Sequence, residues 1–177
     1  IGYMILGISL VSVTGLTAGI SHLFNHALMK GALFMALGCV SFRVGAAELD
    51  RMAGVGRAMP WTMGAFVIGG LSLIGVPLTA GFVSKWYLIV GALEKGWWPV
   101  AVLVLVTSLL AVIYIWRVVE VAYFKPAPEG RVVREAPLAL LVPTWALALA
   151  NLYFGLDTSL NAGVARLAAQ SLLGASQ

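Results

Sequence analysis

Five long apolar blocks, at roughly 1–18, 20–42, 62–93, 99–124 and 136–156, occupy most of this 177-residue chain and leave few folds open to it. A helix that crosses a bilayer needs about 20 mostly apolar residues. Four of the blocks fit that length, the first if its helix continues upstream of Ile1. The expected fold is therefore all-α, a polytopic transmembrane helix bundle of about five spans. Composition agrees: 61% of the residues are hydrophobic and 10% charged, with mean hydropathy +0.98. A soluble domain carries about 25% charged residues. The net charge of +4 does not point to nucleic acid, because the basic residues form no patch with interleaved aromatics. They sit in short loops between the apolar blocks, as in a membrane protein.

The third block is too long for one straight helix and too short for two. Its middle reads Gly75-Val76-Pro77-Leu78-Thr79-Ala80-Gly81. Proline removes a backbone donor and clashes with the preceding turn, and the flanking Gly75 and Gly81 weaken the helix further. One span broken near its centre is expected, with a plain proline kink as the alternative. Broken helices at membrane depth need protein or a water-filled cavity around the freed backbone groups, and they recur at ion sites in transporters.

If each block crosses once, the loops at 43–61 and 117–135 share a side. That side holds Arg43, Arg51, Arg57, Arg117, Lys125, Arg131 and Arg134, against Lys95 and Arg166 on the other. The positive-inside rule then places both loops in the cytoplasm. Pro126 to Gly130 reads as an irregular turn within the second loop. Residues 1–156 form one membrane domain, and 157–177 a tail. Leu160, Val164, Leu167 and Leu172 give that tail the spacing of an interfacial amphipathic helix, with disorder as the alternative. The chain opens on Ile1-Gly2-Tyr3 with no signal peptide pattern, and reads as cut from a longer protein. Its one cysteine, Cys39, precludes an internal disulfide and lies in an apolar run, as a small buried residue would.

Nine of the eleven lysines and arginines fall in loops or the tail; the remaining two, Lys30 and Lys85, lie inside spans. A charge at the bilayer centre costs about 2.5–3.5 kcal/mol on insertion scales, so such residues mark function until shown otherwise. His22, His26 and Lys30 follow one another at intervals of four and share one helix face. At about 1.5 Å per residue they cover on the order of 12 Å of depth. Histidine passes protons near neutral pH, and a lysine out of water can exchange its proton instead of holding it. The ladder therefore reads as half of a proton relay. The alternatives are helix–helix hydrogen bonding by the histidines and, for Lys85, a structural charge pair. A metal site is not expected, because no carboxylate or cysteine shares the face and an ammonium lies close. Nor is there a dinucleotide fingerprint, a phosphate loop or a nucleophile elbow. No catalytic site and no cofactor are expected of this chain, and redox chemistry would belong to a partner.

The run His22-Leu23-x-x-His26-Ala27-x-x-Lys30-Gly31-Ala32-Leu33-Phe34 resembles the antiporter-like membrane subunits of respiratory complex I. It is equally similar to the A and D subunits of Mrp-type cation/proton antiporters and to related subunits of membrane-bound hydrogenases. The likeness continues through Gly69-Gly70-Leu71-Ser72-Leu73-Ile74-Gly75-Val76-Pro77 and Gly81-Phe82-Val83-Ser84-Lys85-Trp86-Tyr87-Leu88, the last run giving it the flavour of the Mrp D-type subunit. The resemblance implies a C-terminal fragment covering the end of the second of two inverted half-channels. Lys30 would be the connecting lysine of the central hydrophilic axis, His22 and His26 its continuation, and Lys85 the terminal lysine beside the broken helix. The paired glutamate and lysine of the first half-channel have no counterpart here. The function implied is proton or cation translocation within a cation/proton antiporter or a complex I-like NADH-quinone oxidoreductase. The competing class is a structural module anchoring a hydrogenase or oxidoreductase arm. Implied partners are the lipid bilayer, other membrane subunits, protons and Na+, and the implied location is the cell's inner membrane.

Overall fold

The computed structural model describes residues 1–128 and 130–174; Glu129, within the expected turn, and the last three residues of the tail lie outside the described residues. Among the described residues the regular structure is helical, with α1 at Gly2–Ser9, α2 at Val13–Val44, α3 at Val55–Ala58, α4 at Pro60–Ile74, α5 at Ala80–Glu94, α6 at Trp98–Phe124, α7 at Leu138–Leu156 and α8 at Asn161–Leu173. Three of them, α2, α6 and α7, are each long and apolar enough to cross a membrane. The third apolar block is divided between two shorter helices, α4 and α5, of 15 residues each.

At the N-terminus the boundary between spans falls earlier than the apolar blocks suggest. The first block is not one helix: α1 stops at Ser9, Val11 takes φ 44, and α2 begins at Val13. Ser12 starts the new helix by accepting a hydrogen bond from Gly15 N at 3.0 Å. A serine oxygen satisfying an early helical N–H is an ordinary start signal, here hidden inside an apolar run.

The 32-residue α2 is the central post, packed against α1, α4, α5, α7 and α8. The largest core lies toward its C-terminal end, where Ala36 and Val40 meet Met59, Met63 and Phe66. Farther along α2, α7 packs Ala148 against Ala32, and Thr144 bonds Cys39 at 3.6 Å. Beyond the end of α7, α8 continues along α2 toward its N-terminus, so that Arg166 and Gln170 share a cavity with Thr14 and Thr17. The buried face of α8 is small, formed by Asn161, Ala162, Ala165 and Ala169, while Leu160, Val164, Leu167 and Leu172 are exposed. Leucine spacing thus marks the outward face of this tail helix.

The loops between α2 and α4 and between α6 and α7 meet on one side of the bundle. Arg131 Nη1 donates to Arg51 O at 2.6 Å, and Arg43 Nε donates to Glu135 O at 2.9 Å. Glu94 ends α5 on the opposite side and accepts from Thr14 Oγ1 at 3.1 Å.

Candidate functional site

The third apolar block is broken, and the break builds the site. Helix α4 ends at Gly75, whose φ of 91° suits a residue without Cβ. Val76, Pro77 and Leu78 carry the chain across, and Thr79 leads into α5. The halves are not stacked end to end. The last turn of α4 lies beside the first turn of α5, where Gly81 N donates to Ser72 Oγ at 3.1 Å. Any side chain at Gly81 would collide with the Ser72 carbonyl oxygen. Gly81 therefore lies just inside α5, where it permits the close approach, while Gly75 and Pro77 form the interruption.

Lys85 follows one turn later and is 6% exposed. Its side chain folds back over Gly75, and its ammonium donates to Leu73 O at 2.8 Å and Ile74 O at 2.9 Å. These carbonyls belong to the last turn of α4, which lacks intrahelical donors and carries the negative end of the helix dipole. The buried lysine is thus held by one half of the broken helix while anchored on the other. The Tyr3 ring centroid lies 5.5 Å from the same ammonium, within cation–π range.

His22 and His26 stand one above the other on α2, with ring centroids 5.6 Å apart. His22 Nδ1 lies 2.7 Å from Ser84 Oγ, a bond from α2 to the residue beside Lys85. A hydroxyl both donates and accepts, so Ser84 can serve either tautomer of the imidazole. The Tyr3 ring packs edge-on to His22, and its hydroxyl bonds Thr107 Oγ1 of α6 at 2.5 Å. Lys30 is half-buried, with its ammonium 5.8 Å from the Phe34 ring centroid. His22, His26, Lys30 and Lys85 all line one cavity of about 500 Å³, together with Tyr3, Thr107 and Tyr114. The four titratable groups expected from sequence therefore line one cavity, mostly apolar in its walls and large enough to admit water.

Sequence reasoning missed Ser84 as the link between α2 and α5, and Tyr3 as the wall of the cavity. It passed over Asn25 as well. Asn25 is fully buried and donates to Ala80 O, the first residue of α5, at 2.7 Å. Serine, tyrosine and asparagine are ordinary at span positions, and only the fold shows what they touch.

A membrane-embedded broken helix with a lysine on its carbonyls, beside a helix bearing a histidine–lysine ladder, defines an antiporter-like membrane subunit. The chain belongs to the family described as NADH:quinone oxidoreductase/Mrp antiporter, transmembrane, whose model matches residues 1–111. It is 40% identical over 169 residues to NADH-quinone oxidoreductase subunit N of Desulforudis audaxviator, covering 88% of this chain and 34% of that protein. To the D subunit of the Na(+)/H(+) antiporter of Bacillus subtilis it is 30% identical over 178 residues, covering 98% of this chain and 35% of that one. Its fold matches a chain of the Mrp complex from Dietzia sp. DQ12-45-1b with TM-score 0.89 at 29% identity, over 97% of this chain and 40% of that chain. The chain spans about a third of the length of these relatives.

Proposed function

We propose that this chain translocates protons, with Lys85, His22, His26 and Lys30 exchanging them through water in the shared cavity and Ser84 joining His22 to the broken helix. The observation that carries this reading is the convergence of all four groups on one cavity beside the break. The broken helix supplies the site where that exchange is registered: Lys85 holds the α4 carbonyls when charged and loses much of that attraction when neutral.

The chain works in the cell's inner membrane with other membrane subunits, either in a cation/proton antiporter that also moves Na+ or in a redox-driven pump. The loops at 43–61 and 117–135 face the cytoplasm, which their seven basic residues support. A second reading has its own observation. Lys85 caps the end of α4, and a cap needs only a fixed cation, as expected of a structural module that anchors a hydrogenase or oxidoreductase arm.

Lys85→Arg separates the two readings. Arginine can hold the carbonyls but does not release its proton. Proton flux should fail in membrane vesicles carrying the Lys85→Arg complex at normal subunit levels. Normal flux would leave the capping reading standing.

A further inference from the structure

The break is held from outside as well as from within. Asn25 donates to Ala80 O at 2.7 Å, and its own carbonyl oxygen accepts from Asn161 Nδ2 at 3.0 Å. Asn161 opens α8, donates also to Phe154 O of α7 at 3.2 Å, and accepts from Ala162 N at 2.7 Å. Both asparagines are buried. Close by, Gly155 lies directly on the backbone of Leu78 and Thr79, where any side chain would strike the Leu78 carbonyl. Leu78 has φ 73, a left-handed conformation that a non-glycine residue keeps only when its surroundings impose it. Two independent contacts from the α7–α8 corner thus converge on the few residues between Pro77 and Gly81.

We propose that Asn161, acting through Asn25, is a positioning residue for the broken helix. With the Gly155 seat, it fixes the first turn of α5 against α2, and hence the place from which Lys85 reaches the Leu73 and Ile74 carbonyls. Asn25 sits between His22 and His26 in sequence, so the same chain of bonds sets the ladder's register against the break. The amide group suits this role because it donates and accepts at once, passing the constraint from α8 through α2 to α5 without a charge. Asn161 lies beyond the residues that the family model matches. The consequence for transport rests on the proton-exchange reading above; the structural constraint does not.

The test is hydrogen–deuterium exchange by mass spectrometry on the assembled complex, comparing wild type, Asn161→Ser, Asn25→Ala and the double variant. Serine keeps a short acceptor for Ala162 N but cannot reach Asn25. Each single variant breaks the one chain of bonds that runs from Asn161 through Asn25 to Ala80 O, and should speed exchange of the 78–84 segment roughly fivefold. The double variant should go no further, because the bonds act in series, and α6 should be unchanged. Proton flux in Asn161→Ser should fall severalfold at equal subunit levels. Unchanged exchange at 78–84, or an increase spread equally over α2, α6 and α7, would overturn the proposal. Failure of the exchange reading is seen separately, as normal flux in Lys85→Arg with the local exchange result intact.

Discussion

Single side chains decide what the cavity can do, and Ser84 is the most exposed to test. Its hydroxyl is the one described bond between the histidine ladder and α5. Ser84→Ala leaves His22 facing an apolar wall, so proton flux in vesicles should drop several-fold while subunit levels hold. Unchanged flux would place the path elsewhere. His26→Ala should impair flux less than either lysine substitution, since water in the cavity can bridge the gap it leaves. Both lysines were legible in the sequence because a charge inside an apolar run is costly and therefore conspicuous. Ser84 was not, since a small polar residue in a span is cheap and common, and Asn161 was not, since an asparagine in the tail outside the apolar blocks is ordinary.

Among the elements, α4 carries the most consequence. Its C-terminal carbonyls hold Lys85, and its N-terminus is held by Glu135 from the loop before α7. The Glu135 carboxylate accepts from Trp61 N at 2.8 Å, Thr62 N at 3.4 Å and Thr62 Oγ1 at 2.5 Å. No side chain of the preceding residue, Met59, caps the helix, so the loop supplies from a distance what an N-cap usually supplies locally. A carboxylate at the N-terminus and an ammonium at the C-terminus both favour the helix dipole. Glu135→Ala should destabilise this half of the break by about 1–3 kcal/mol, measured as a lower melting temperature of the complex. An unchanged value would mean that packing alone holds α4. Gly81→Val should be more severe: the side chain would force α5 off α4, and the complex should fail to assemble. The break was legible as Gly75-Val76-Pro77, but its geometry was not. The same glycines and proline fit a kink, and only the contact between Ser72 and Gly81 shows two turns lying side by side.

At the scale of the whole molecule, the helical bundle with one broken span follows from block length and the Gly/Pro cluster. The boundary at Ser12 does not, because hydropathy is blind to a single capping serine. The packing of α8 was hidden for a related reason: its buried side is alanine and asparagine, and the eye follows its exposed leucines. Orientation remains a prediction of charge. Cysteines replacing Arg51 and Arg131, which meet across the two loops, should resist an impermeant thiol reagent applied from outside the cell; efficient labelling of both would reverse the topology. The central claim is that Lys30 and Lys85 exchange protons. Proton flux through vesicles carrying Lys30→Ala or Lys85→Ala, at subunit levels matched to wild type, measures it most directly. Each substitution should abolish or greatly reduce flux; normal flux in both would contradict it.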